Sequence, residues 1–424
     1  MVIHIVQPDE TINSIAEMYG ISAERLISDN LIEDPNRLVA GESLLVLFPR
    51  ETNVVQEGDS LEGIANSYGV SVMQLLRNNP QLSNRSYIYP GEEIIISFTN
   101  DKLTTISVNG YAFPFIDMDI LSKTLPFLTF LTIYFYEITK EGEIIDIDDQ
   151  QLIDIAKVYG VAPIMLISTV TRSGETDAEA THNIITSKSK QELLINSVLD
   201  TMRVKGYYGI NIDIQNILPE DRQLFIDFME NMSSQLRQEG YYVITTLTLT
   251  TFGTETDIPY LGPEYATLGQ LTDSAMLLSY EWGHIRSPLP ALPLADVRAL
   301  LDYSITQIPA EKTNIGIPTI GYIWDLPFIP GRTVANVISH NSAVTLAKEL
   351  GVTIQRDAAS EAPYYSFSND TEFIVWFRDV KSITAILDIV VEYGLEGIGI
   401  WNIMQFPSGM LLMINEQFEI RKIE

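Results

Sequence analysis

The sequence predicts an α/β protein, a closed (β/α)₈ TIM barrel preceded by two small βααβ repeats. Three observations carry that expectation. Near the N-terminus the chain is self-similar at an offset of 49 residues. From residue 100 to 424, apolar β-branched runs alternate with amphipathic stretches. No Gly-rich phosphate loop follows any of those runs, which lowers the doubly wound open sheet as the alternative.

Size and charge bound the function. The chain has 424 residues, 46% of them hydrophobic, which is enough for a large core and two or three domains. With 26 Lys+Arg against 56 Asp+Glu the net charge is −30, and no basic cluster interrupts it, so nucleic acid is a poor partner. The absence of cysteine excludes disulfides, thiolate metal sites and a Cys nucleophile. Four scattered histidines (His4, His182, His284, His340) argue against a zinc cluster, and no metal or other cofactor is implied. The N-terminus lacks a basic region and an apolar core, and the apolar stretch from Phe127 to Phe135 is broken by Thr and Tyr. The expectation is a chain made in the cytoplasm, without a removable export signal or a membrane partner.

The repeats run Val6-Gln7 to Thr11-Ile12, Ile15-Ala16 and Tyr19-Gly20-Ile21-Ser22, and again Val55-Gln56 to Ser60-Leu61, Ile64-Ala65 and Tyr68-Gly69-Val70-Ser71. Each opens with a β-branched strand, followed by a polar turn ending in Thr11 or Ser60, hydroxyls suited to an N-cap. Apolar residues at helical spacing follow, Gly20 stops the first helix, Ser22 caps a second one holding Leu26, and Leu44-Leu45-Val46 returns as a strand.

These units resemble LysM domains, on the evidence of Gly58-Asp59-Ser60-Leu61, the Ile-Ala-x-x-Tyr-Gly helix end and Asn78-Asn79-Pro80. The first copy carries Asp9-Glu10-Thr11-Ile12 where Gly-Asp is usual, with Asn30 at the later position. The resemblance spans residues 2–48 and 53–97. It implies binding of N-acetylglucosamine-containing glycans, whether peptidoglycan or chitin oligomers, between the first turn and the loop before the last strand. The plain alternative is that Asn30 and Asn79 only cap or turn the chain.

A linker at 97–102 leads into eight candidate strands: 105–109, 130–136, 164–168, 209–215, 242–250, 274–280, 314–318 and 397–401. Helical stretches at 148–159, 189–205, 219–239, 295–303 and 380–393 supply crossovers, and catalytic residues are expected at strand C-terminal ends. The fourth strand alternates strictly, so Asn211, Asp213 and Gln215 face one side while the Ile residues between them face the helix layer. Buried without partners, such groups would cost a few kcal/mol each. A purely structural polar ladder is the competing reading.

Residues 100–424 resemble glycoside hydrolase family 18. Its fourth-strand motif Asp-Gly-x-Asp-x-Asp-x-Glu falls on Gly209, Asn211, Asp213 and Gln215; its strand-six motif falls near Met276 to Tyr280, and its last-strand Trp on Trp401. Within the family the chain is most similar to spore-cortex members that join two LysM repeats to the barrel, N-acetylglucosaminidases acting on cortex fragments during germination. The resemblance implies a retaining mechanism in which the substrate's own 2-acetamido oxygen attacks the anomeric carbon. Asp213 would hold the acetamido N–H, Tyr280 the acetamido oxygen, and Trp401 the apolar floor. It also implies deposition in spore layers.

The acid position holds Gln215, a carboxamide with the reach of Glu but no proton to release. Three readings stay open: a replaced acid in an otherwise competent site, a natural member that binds and barely cleaves, or another carboxylate such as Glu281 or Glu137 acting instead. A noncatalytic wall-binding protein is therefore the rival function. Tyr111, Tyr136, Trp282, Tyr322 and Trp324 fall where barrel loops would ring the mouth, although plain packing explains any one of them equally well. Between strands seven and eight, about 327–377, a helix and a small β excursion are expected, too short for a cleft-deepening domain, leaving a shallow groove.

Overall fold

The computed structural model describes residues 1–423 except 86, 172–177, 216, 249–263, 279–287, 289–292 and 330–331. The first repeat consists of β1 (Val2–Ile5), α1 (Ile12–Tyr19), α2 (Ala23–Asn30) and β2 (Ser43–Val46); the second of β3 (Pro49–Val54), α3 (Leu61–Tyr68), α4 (Val72–Asn78) and β4 (Glu93–Phe98). In each repeat the two strands pair antiparallel. Thr11 and Ser60 cap α1 and α3 through backbone N–H groups three residues on, and Gly20 and Gly69 end those helices in the left-handed region. The altered turn of the first repeat keeps its shape. Asp9 adopts φ 67° where Gly58 adopts 93°, and Glu10 and Asp59 each accept from the backbone N–H of the preceding Gln, at 2.7 and 2.8 Å.

The remaining chain runs β5 (Thr104–Ala112), α5 (Met118–Thr124), β6 (Phe130–Ile138), β7 (Ile144–Ile145), α6 (Gln150–Val158), β8 (Ala162–Ser168), α7 (Ala178–Ile185), α8 (Lys188–Lys205), β9 (Gly209–Asp213), α9 (Arg222–Gln238), β10 (Tyr242–Thr248), α10 (Glu264–Leu271), β11 (Ser274–Leu278), α11 (Leu294–Gln307) and β12 (Thr313–Pro318). After it come β13 (Ile320–Leu326), β14 (Asn336–Ser339), α12 (His340–Leu350), β15 (Gln355–Arg356), β16 (Pro363–Asn369), β17 (Thr371–Trp376), α13 (Val380–Tyr393), β18 (Gly397–Trp401), α14 (Ser408–Gln417) and β19 (Phe418–Ile420). Eight parallel strands (β5, β6, β8, β9, β10, β11, β12, β18) close on themselves through β5–β6 and β18–β5, giving the expected barrel. Alternate residues of each strand fill the lumen or pack on the helices. At the N-terminal end of the strands the lumen is sealed by Glu396, which accepts from Ser274 and Asn314, each at 2.7 Å, and from Arg421 at 3.1 Å.

Two expectations about aromatics are corrected. Tyr136 does not ring the mouth: between Ile133 and Tyr136 strand β6 carries an extra residue relative to β8. The bulge turns Tyr136 outward, where it is fully buried and donates to Asp149 at 2.6 Å, with Lys205 Nζ 2.8 Å from its hydroxyl. Tyr322 and Trp324 do not ring it either. They lie on β13, the start of a five-stranded antiparallel sheet (order β14-β13-β17-β16-β15), and are buried with Trp376 and Ala362. The β excursion thus begins directly after β12 and is larger than the sequence suggested.

The repeats are docked, not dangling. Leu45, Leu47, Ile95 and Phe98 of the repeats belong to the same apolar core as the barrel's outer layer. Ser43 Oγ donates to Asp379 at 2.6 Å, Ser408 Oγ to the Asp29 carbonyl at 2.9 Å, and Asn415 Nδ2 to Asn78 at 2.8 Å. These groups are buried, so each lost partner would leave an unsatisfied polar atom inside the interface.

Candidate active site

Strand β9 delivers its alternate residues to the lumen at the C-terminal end of the barrel. Deepest is Asn211, fully buried, which accepts from Thr246 Oγ1 at 2.7 Å and donates to Tyr111 Oη at 3.0 Å. One amide is thereby fixed between β10 and β5. Two residues on, Asp213 is 4% exposed; its Oδ1 accepts from Gln215 Nε2 at 2.9 Å and its Oδ2 from Ser168 Oγ at 3.3 Å. The strand ends there. Gln215 sits just beyond it, 7% exposed, with its backbone carbonyl accepting from Thr181 Oγ1 at 3.2 Å.

Burial sets the electrostatics of the pair. Loss of solvent pushes the Asp213 carboxyl up to about 6, against the opposing pull of hydrogen bonds from Gln215 and Ser168. Tyr111 is raised well above the ordinary phenol range, first by burial and then by the charge of Asp213, so it stays a neutral hydroxyl. Opposite the pair, Trp401 ends β18 with its ring 4.7 Å from Tyr134, 5.7 Å from Tyr111 and 6.0 Å from Phe113, all edge-on. Gly399 makes this approach possible: a Cβ there would lie 2.7 Å from the Met276 sulfur and 3.2 Å from the Tyr111 ring.

The structure brings Asn211, Asp213 and Gln215 together with Tyr111 and Trp401. Tyr280, Glu281 and Trp282, together with His284, lie outside the described residues. Glu137 occupies a notable register position, paired with Ser168 of β8, which in turn pairs with Asp213. The same bulge that sends Tyr136 outward gives Glu137 the inward parity. Ser168, Thr246 and Tyr134 escaped the sequence reading although strand parity was a sufficient signal for Ser168, which follows Ile164 and Leu166 at period two.

In the repeats, Asn30 and Asn79 fill the capping role. Each donates to a helix carbonyl four residues back and to the last strand, and accepts from that strand's N–H: Leu45 for Asn30 (2.7 Å), Ile95 for Asn79 (2.9 Å). Both N–H donors and one acceptor site of each amide are spent internally, so these amides shape the groove and have no N–H left to offer a ligand. Thr11 and Ser60 are spent as caps, and Ile12 is buried.

The two grooves differ in access. Val39 and Tyr89 are structural equivalents, each donating its N–H to the Glu three residues on. Val39 is buried against Ile354 and Tyr365 of the inserted sheet, Arg37 Nη2 donates to the Lys348 carbonyl at 2.7 Å, and Ile354 N donates to the Ala40 carbonyl at 2.9 Å. The same loop in the second repeat is open. There Tyr87 and Tyr89 are 62% and 50% exposed, 5.0 Å apart and perpendicular, with the Arg85 guanidinium over Tyr89. Neither tyrosine was singled out from sequence, because nine percent aromatics gives no reason to pick them.

Residues 93–405 match the model of glycosyl hydrolases family 18, and residues 4–46 and 54–97 match the LysM domain. The chain is 31% identical over its whole length to YdhD of Bacillus subtilis (strain 168), named as a sporulation-specific glycosylase and covered to 100%. It is 29% identical to the cortical fragment-lytic enzyme of Bacillus anthracis, with 98% of each covered. Its fold is similar to the crystal structure of the spore cortex-lytic enzyme SleL of Bacillus megaterium QM B1551, with a TM-score of 0.81 at 27% identity, covering 100% of this chain and 99% of that one.

Proposed function

The chain belongs to glycosyl hydrolases family 18, and on that premise we propose a spore-cortex peptidoglycan N-acetylglucosaminidase that holds its substrate through the second LysM repeat and turns it over slowly. The observation that carries this is the Asp213–Gln215 pair at the barrel mouth, facing Tyr111 and Trp401. Above about pH 6 Asp213 is an anion among neutral donors. It can accept the acetamido N–H and so aim the acetamido oxygen at the anomeric carbon. As the carbon–oxygen bond to the leaving sugar breaks, the carboxylate stabilises the cationic ring that forms from the acetamido group. Water then opens that ring with retention. Tyr134 and Trp401 supply the apolar wall against the sugar.

What this chain lacks is a proton donor at 215, and a carboxamide there leaves the departing alkoxide to solvent. That residue favours the second reading, a wall-binding protein whose barrel grips glycan without cleaving it. Release of new N-acetylglucosamine reducing ends from cortex fragments separates the two. Slow release that is abolished by Asp213→Ala supports the hydrolase; no release from the chain and none from Gln215→Glu leaves only the binding protein.

The exposed tyrosines give glycan capture a location. Flat rings stack on the CH faces of sugars, and Tyr87 and Tyr89 present two such rings beside the groove of the second repeat. The double variant Tyr87→Ala/Tyr89→Ala should lose about tenfold in affinity for insoluble peptidoglycan in a sedimentation assay. Arg37→Ala in the first repeat should leave that affinity unchanged, since its loop is occupied by the inserted sheet.

A further inference from the structure

A cavity of about 730 Å³ lies where the first repeat, the inserted sheet and the loop after β18 meet. Thr319 and Asn402, on its wall, directly follow the C-terminal ends of β12 and β18, which places it on the catalytic side of the barrel, one residue from Trp401. Its volume is that of a site for a small ligand.

The wall carries one guanidinium, Arg378, 3% exposed, and three carboxylates, Glu33, Glu42 and Asp379. It carries amides at Asn341, Asn402 and Gln405, and apolar patches at Leu31 and Val337. Among the described residues Phe406 is its one benzenoid ring, so these offer little of the stacking surface that sugars use. Amides, small apolar patches, a guanidinium and several carboxylates are the complement of a short peptide that carries both carboxylates and an ammonium group.

Leu31, on the wall, is the left-handed C-cap of α2, its N–H donating to the Ile27 and Ser28 carbonyls. It holds φ 51° and is 42% exposed. A left-handed leucine is strained where a glycine is not, and exposing it recovers nothing from burial. The equivalent residue of the second repeat, Pro80, is buried and starts a 3₁₀ turn. The first repeat thus departs from the second where it faces the cavity.

We propose that this cavity binds the peptide stem carried by the glycan strand whose sugar occupies the barrel mouth. The inference rests on the peptidoglycan reading, because of the two glycans at issue peptidoglycan, unlike chitin, presents a peptide beside an N-acetylated sugar. The full chain should bind a free stem tetrapeptide, L-Ala-γ-D-Glu-meso-diaminopimelyl-D-Ala, at one site, by calorimetry. Leu31→Trp, which fills the cavity, and Glu33→Gln, which removes one charge at an exposed position, should each weaken that binding about five- to tenfold. In the Gln215→Glu background the same substitutions should raise KM for stem-bearing fragments and leave KM for stem-free chitooligosaccharides unchanged. Absent peptide binding, binding indifferent to both substitutions, or an equal rise of KM on both substrates overturns the proposal. Peptide binding is read without cleavage, so failure of the hydrolase reading shows separately, as no turnover of either substrate.

Discussion

Replacing Gln215 by glutamate should raise turnover of peptidoglycan fragments by ~10²- to 10⁴-fold, the usual worth of a positioned general acid. Gln215 Nε2 lies 2.9 Å from Asp213 Oδ1, so a carboxyl of the same reach would share a hydrogen bond with Asp213. Two carboxyls at that distance cannot both ionise, and the titration belongs to the pair. Burial already lifts Asp213 to about 6 when its neighbour is neutral. Beside a second carboxyl the pair therefore keeps one proton through neutral pH, on the residue nearer the leaving oxygen. The gain should depend on the leaving group, large for a sugar alkoxide and small for a nitrophenol, which departs without help. Comparable rates for the two chains on the poor leaving group would mean that another acid already acts. Glu137, two strands from Asp213 in the same register row, would then be the residue to replace, and Glu137→Gln should abolish the remaining turnover.

What could be seen in the sequence was whatever follows from period. Asn211 and Asp213 share a face because side chains alternate along β9, and Gln215, just past its end, keeps that side through its hydrogen bond to Asp213. In β6 the same rule fails at one inserted residue, which leaves no trace in composition, so Tyr136 was placed at the mouth when it belongs to the outer layer. Tyr322 and Trp324 were misplaced for a different reason: the chain leaves β12 and enters a new sheet after one residue, and an apolar run cannot say which sheet it joins. The docking of the repeats was invisible because its partners are far apart in the chain. Ser43 and Asp379, or Asn78 and Asn415, carry no local pattern that points from one to the other. The repeats themselves were readable down to their caps, since Thr11 and Ser60 act through residues three positions away.

The second large effect couples chemistry to stability through one carboxyl. Asp213→Asn should cut turnover by ~10²- to 10³-fold or more, because a neutral amide neither accepts the acetamido N–H as strongly nor balances the cationic ring. The same substitution should stabilise the fold at neutral pH. The Asp213 carboxyl titrates at about 6 in the folded chain against 3.8 unhindered, so the folded state holds its proton more tightly than the unfolded state. Its contribution therefore falls as pH rises from about 4 to about 6, and above that window the full cost of a buried anion is present, on the order of 3 kcal/mol. An asparagine avoids that cost: its oxygen can accept from Ser168, and the Gln215 amide can turn to accept from its NH₂. Chemical denaturation should show the gain at pH 7, most of it gone near pH 4, and its disappearance below the unhindered value of 3.8, where Asp213 is protonated in both states. Activity of the unsubstituted site should run the opposite way, declining about tenfold per pH unit below about 6 as the acceptor takes up its proton. A variant that lost activity with no gain in stability at pH 7 would mean that Asp213 is solvated or paired in the free protein, and that burial is not what tunes it.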